Sequence, residues 1–204
     1  MVTAVPPLSE QFAGMGTSDA KLLEQFVATF DRLDDLSSFQ FEPPLPPELT
    51  PAIDPNDWNR VCWQPAAIST DEDALSALHD RIGGVLPRLY EQLVLSYRWL
   101  EVDLQVCRLL ANPPASDLQP LFDEMCCDPV MNHTLEPANF VRFALAPDDC
   151  YDPICFDLNR FSNNDCPIVR LNHESILCND ELGDIQLIFP SFRDLIFAVL
   201  EIAD

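Results

Sequence analysis

Leu22, Leu23, Phe26, Val27, Phe30 and Leu33 recur at the three- and four-residue spacing of one helix face. Ser18 or Thr17 stands where a cap belongs, Asp19 suits the positive end of the helix dipole, and the spacing predicts a helix from Ser18 to near Asp35. Thr70-Asp-Glu-Asp opens a second helix with Leu75, Leu78 and Ile82 on its apolar face, closed by Gly83 and Gly84. Pro87 suits the first position of a third, whose buried stripe is Leu89, Tyr90, Leu93, Val94 and Tyr97. The period then changes to two. Val102, Leu104 and Val106 alternate with Asp103 and Gln105, which predicts a half-buried strand ended by Asn112-Pro-Pro. Asp117 caps a helix carrying Leu118, Leu121, Phe122 and Met125, and Asp128-Pro129 begins a short connector. Val141, Phe143 and Leu145 alternate into another strand, Ile185, Leu187 and Ile188 form a later one, and Ser191 caps a last helix bearing Phe192, Leu195, Ile196, Val199 and Leu200.

Between those strands lies the stretch expected at the centre of the sheet. Tyr151-Asp-Pro-Ile-Cys-Phe-Asp-Leu and Pro167-Ile-Val-Arg-Leu-Asn-His-Glu are short apolar runs separated by a turn-rich segment of Asn, Ser and Asp, a strand–loop–strand signature. Pro153 and Pro167 open the runs, where a missing N–H harms a sheet least. The second run ends on His173 and Glu174. Helices first and closely spaced strands later predict an α+β domain, its central sheet mostly antiparallel and flanked by helices. Residues 1–17 read as a loose lead-in, and 39–65 are dense in proline, which excludes a long helix or central strand. Trp58, Val61 and Trp63 make that segment an ordered extended arm. The expected division is therefore 1–69, helix and arm, and 70–204, the α+β domain.

Charge changes the picture. Asp and Glu number 34 against 11 Lys and Arg, a formal net charge of −23, and Lys21 is the single lysine. Binding to a phosphate backbone needs cations that displace counterions, and anionic membranes demand the same, so nucleic acid and membrane partners are not expected. A basic protein partner, or a solvated acidic surface alone, fits. No basic-then-apolar leader is visible and no apolar run approaches the roughly 20 residues of a membrane helix, so a cytoplasmic protein with reduced thiols is expected. The eight cysteines then serve chiefly as small core residues.

Cys150, Cys155, Cys166, His173 and Cys178 crowd the hairpin, but none of their spacings forms the paired knuckles of a zinc site. Cys155, His173 and Asp157 could meet across paired strands as a nucleophile, base and orienting group, yet no nucleophile elbow or glycine-rich turn accompanies them. With five glycines the chain has no P-loop or dinucleotide fingerprint, and paired carboxylates such as Asp148 and Asp149 say nothing in so acidic a sequence. The expectation is no enzyme, no metal and no cofactor. The residues singled out are Tyr151, Asp152, Asp157, His173 and Glu174. They either hold loop backbone by hydrogen bonds or line a partner-binding edge suited to an arginine-bearing protein. Asp157→Ala and Glu174→Ala are expected to weaken such binding and spare the fold.

Those residues carry a resemblance. Tyr151-Asp-Pro-Ile-Cys-Phe-Asp-Leu, then Pro167-Ile-Val and Asn172-His-Glu, with Ile82-Gly83, Leu86-Pro87, Tyr90 and Leu93 upstream and Pro190-Ser191-Phe192 downstream, resemble the SUKH superfamily over about residues 70–204. Ser96-Tyr97-Arg98-Trp99 departs from that pattern, where the family often carries an Asn-Gly-Gly-like turn. The resemblance implies an α+β fold and a non-enzymatic role. Bacterial members are implied to be immunity proteins that neutralise toxin domains, often nucleases, and fungal members regulatory scaffolds in cell-wall or signalling contexts.

Overall fold

The computed structural model describes residues 18–34, 37–39, 46–49, 60–147 and 150–204, with 37–39 and 60–62 described as backbone. The lead-in over 1–17, most of the proline-dense arm including Trp58, and Asp148 and Asp149 lie outside the described residues.

The first apolar stripe folds as two pieces, α1 (Asp19–Val27) and the single turn α2 (Phe30–Leu33). Ser18 caps α1 by accepting from the Lys21 backbone N–H. The break falls at Thr29, whose buried hydroxyl donates 2.7 Å back to the Phe26 carbonyl, a side-chain bond that competes with the helix ladder. Strands β1 (Ser37–Phe39) and β2 (Arg60–Cys62) pair antiparallel. A second small pair, β3 (Ala66–Ala67) with β4 (Tyr97–Arg98), encloses α3 (Glu72–Ile82) and α4 (Arg88–Ser96). Asp71 caps α3 by accepting from Ala74, and Gly83 ends it at φ 69°, a left-handed position that costs glycine nothing. Pro87 precedes α4 in the capping position, one residue before the place expected for it.

The expected strand over 102–106 is a tight hairpin. β5 (Val102–Asp103) turns through Gln105, which sits at φ 65° with its N–H donated to Asp103 Oδ1, into β6 (Arg108–Leu109). After α5 (Gln119–Met125), the segment expected as a connector is a helix, α6 (Pro129–Leu135). Asp128 Oδ1 accepts from both Val130 and Met131, and Pro129 fills the first position, where its absent N–H is not missed. Then follow β7 (Phe140–Leu145), β8 (Pro153–Asp157), β9 (Ile168–Leu171), α7 (His173–Asn179), β10 (Ile185–Phe189) and α8 (Phe192–Ala203). His173 and Glu174 thus do not extend a strand. Asn172 accepts from the Ser175 N–H and starts α7 there.

The main sheet has the order β5-β6-β7-β8-β9-β10, antiparallel throughout, so sheet order follows chain order. The architecture is α+β. β7 and β8 form its middle, and the hairpin of β8 and β9 lies within it.

Both faces of the sheet are covered. Val141, Phe143, Ile154, Phe156 and Ile168 face a large core with Leu22, Leu23 and Phe26 of α1, Tyr90 and Leu93 of α4, and Phe192, Leu195 and Ile196 of α8. Phe143 and Phe156 stack with ring centroids 4.0 Å apart, and Tyr90 meets Phe156 edge-on at 5.0 Å. Each such ring pair adds about 1 kcal/mol to what burial alone supplies. On the opposite face Phe140, Cys155, Val169 and Leu171 form a second core with Met131 and Leu135 of α6 and Ile176 of α7. This double cover explains why β8 is buried at every residue instead of alternating.

Candidate functional site

Four side chains meet where the chain enters β8. Asp152, just before the strand, is buried at 6 % exposure. One carboxylate oxygen, Oδ1, accepts from the His173 backbone N–H at 2.9 Å and lies 2.6 Å from His173 Nδ1. The other accepts from Arg170 Nε at 2.7 Å, and Arg170 Nη2 donates onward to Cys150 Sγ at 3.4 Å. The register places them together. Arg170 pairs across the strands with Ile154, which brings the β9 side chain beside the residues entering β8, and His173 opens the helix that leaves β9. Burial by itself raises the Asp152 pKa, but the hydrogen bonds from the His173 backbone and ring, Arg170 and Cys150 outweigh it and hold the carboxyl down at about 2. Arg170 is correspondingly raised by its hydrogen bond to Asp152.

Tyr151 stands over this cluster at 66 % exposure, its ring centroid 6.2 Å from that of His173. Glu174 is exposed on the first turn of α7. Asp157 is elsewhere. It closes the far end of β8, about 17 Å along the strand from Asp152 at 3.3 Å per residue. There it accepts from the Asn159 N–H at 3.1 Å and from Arg160 Nε at 2.6 Å, and so folds the 3₁₀ turn Leu158–Arg160. Of the five residues singled out in the sequence, four gather at one end of β8 and Asp157 builds the turn at the other. Arg170 and Cys150 complete the cluster and were not singled out. The signal for Arg170 was a lone charge inside an apolar run, Pro-Ile-Val-Arg-Leu, which a buried strand carries only with a partner.

The cluster is arranged for holding backbone. Cys150, Asp152 and His173 offer three donor atoms within 4.8 Å of one another, the set of its kind among the described residues. Both Asp152 oxygens are already engaged, and the Arg170 guanidinium would oppose a second cation, so the donor set fits a metal poorly. A cysteine nucleophile fares no better. Cys155 is fully buried and its pKa is pushed up by desolvation, which makes an inert thiol, and Asp157 lies at the wrong end of its strand. Cys166 is likewise pushed up to about 12 by burial.

Charge is distributed with a bias. Most of the 11 Lys and Arg residues are engaged by the chain itself. Arg98, fully buried, donates to the carbonyls of Val94 and Tyr97 and to Thr70. Arg142, also buried, donates to the carbonyls of Met125 and Glu124 at the end of α5. Arg108 pairs with Glu101 at 3.4 Å and Arg193 with Asp19 at 2.7 Å, while Arg81 lies over the Phe122 ring. Arg98 and Arg142 thus serve the framework, and the remaining cations on the surface, among them Lys21, Arg32, Arg88 and Arg160, are far outnumbered by carboxylates.

No protein-family model matches the chain, and no curated protein matches it. No helix among the described residues is long and apolar enough to cross a membrane.

Proposed function

We propose that the chain is a non-enzymatic protein-binding domain of the SUKH type, an immunity protein that neutralises a basic, nuclease-type toxin domain in the cytoplasm. The observation that carries this reading is the disposition of charge. A net charge of −23, with Arg98 and Arg142 buried on backbone carbonyls and Arg170 held by Asp152, presents a predominantly acidic exterior that can occupy a nucleic-acid-binding surface. The α+β architecture and the Tyr151–Asp152–His173–Glu174 corner are compatible with the family resemblance. In this reading Asp152 and His173 hold the corner, and Tyr151 and Glu174 present its exposed groups to the partner. The unpaired cysteines among the described residues suit a reducing compartment.

The test is affinity capture from the source lysate at low and high salt, followed by activity assay of what is captured. A basic protein held at low salt, released at high salt, and stripped of its nuclease activity by stoichiometric chain is the expected result. Salt-insensitive capture of proteins without such activity would overturn the reading in favour of a scaffold.

A further inference from the structure

β10 ends the main sheet with few of the devices that close sheet edges. Its outer side pairs with nothing among the described residues, and its sequence, Ile-Gln-Leu-Ile-Phe, holds no Lys, Pro or inward charge. Such an edge offers a row of unpaired N–H and C=O groups as a template for another strand. Ile185 is 47 % and Leu187 54 % exposed, large apolar groups on the face that Val169 and Leu171 fill one strand inward. Gln186 is exposed on the other face. The one irregularity, a register shift between Leu187 and Phe189, lies at the far end and leaves Ile185–Leu187 in regular register with β9.

The surroundings select the occupant. From Leu171 to Phe192 the chain has no Lys or Arg, and Glu174, Asp180, Glu181 and Asp184 lie within that span. Glu181 and Asp184, immediately before β10, are exposed. A second copy would bring another −23 and the same acids to the edge, so self-pairing is opposed by charge.

We infer that β10 is a docking edge for an extended segment of a basic protein, whose backbone adds a seventh strand beside Ile185–Leu187. Alternate apolar side chains of that segment cover Ile185 and Leu187, and flanking Lys or Arg residues meet Glu181 and Asp184. This rests on the reading of a basic protein partner and names the surface that would receive it.

The probe is a synthetic peptide, Lys-Lys-Val-Thr-Val-Thr-Val-Lys-Lys, beside a control with Glu in place of every Lys, each titrated into isotope-labelled full chain. The expected result is slowed amide exchange and shifted amide signals at Ile185, Gln186 and Leu187 with the Lys peptide, and affinity at least about tenfold weaker for the Glu peptide. Leu187→Asp separates strand docking from mere attraction. It adds a negative charge, so binding by charge alone would tighten, whereas edge docking loses about tenfold through the lost apolar cover. Unchanged β10 amides, tighter binding by Leu187→Asp, or a dimer of the chain alone through β10 would each overturn the inference. Failure of the two readings is distinguishable. A basic toxin captured equally by wild type and Leu187→Asp leaves the function standing and removes the edge. Peptide docking at β10 with no basic protein captured does the reverse.

Discussion

Asp152 shows how one buried carboxylate can join three segments. It ties the residues entering β8 to Arg170 of β9 and to the first N–H of α7, and its neighbours must come together for it to be satisfied. Replacement by Asn removes the charge and leaves Arg170 without its partner, so Asp152→Asn should cost about 2–3 kcal/mol in urea denaturation at neutral pH. The pH dependence follows from the lowered pKa. A carboxyl held at about 2, below its usual value of about 3.9, contributes fully above the unfolded value and loses that contribution as pH falls from about 4 towards 2. The gap between wild type and Asp152→Asn should therefore close over that window, and a gap that persists at its lower end would refute the assignment. For Asp157→Ala the structure changes the expectation. Because Asp157 closes the turn at Leu158–Arg160, the variant should lose about 1–2 kcal/mol of stability whatever it does to binding. Glu174→Ala, exposed on α7, is the cleaner probe of the partner surface and should leave the urea midpoint unchanged.

At the scale of elements, what the sequence made legible depended on length and on cover. The stripes of α1, α3, α4 and α8 and the caps Ser18 and Ser191 are where periodicity and cap chemistry place them, but α3 is capped by Asp71, one residue after Thr70, Tyr97 leaves the α4 stripe to begin β4, and the first helix breaks before Asp35. α6 and α7 are seven residues each, too short for a stripe to repeat, and their signals were caps alone: Asp128 before Pro129, and Asn172 three residues before Ser175. The hairpin of β5 and β6 hid because its left-handed position is held by Gln105, a residue that seldom announces a turn. The corner at Asp152 was half legible, since sequence proximity places Tyr151 beside Asp152 and His173 beside Glu174. The strand register that adds Arg170, and the strand length that removes Asp157, are not local properties. The cap on α6 is open to measurement. Asp128→Ala leaves two N–H groups without their acceptor and should cost about 1 kcal/mol in thermal or urea unfolding, whereas Asp128→Asn or Asp128→Ser should restore most of it.

For the molecule as a whole the acidic exterior carries a penalty that salt relieves. With 34 acidic residues against 11 basic ones, like charges repel in the compact state more than in the expanded one. Raising sodium chloride from low to roughly physiological strength and beyond, where the screening length falls below about 8 Å, should raise the melting temperature by several degrees. A chain whose melting temperature fell with salt would owe its stability to surface ion pairs instead.

The match between chain order and sheet order has a consequence for how the molecule is assembled. Each strand from β6 to β10 pairs with its immediate predecessor, β6 across a tight turn and β7 across the helices α5 and α6, so the sheet can grow by adding one strand at a time. The helical layer cannot. α8 packs against α1, the first helix described, and Arg193 reaches Asp19 from 174 residues away. Until α8 docks, Phe143, Phe156 and Ile168 lack part of their cover. Folding should therefore show a sheet phase followed by a slower docking of α8 on α1.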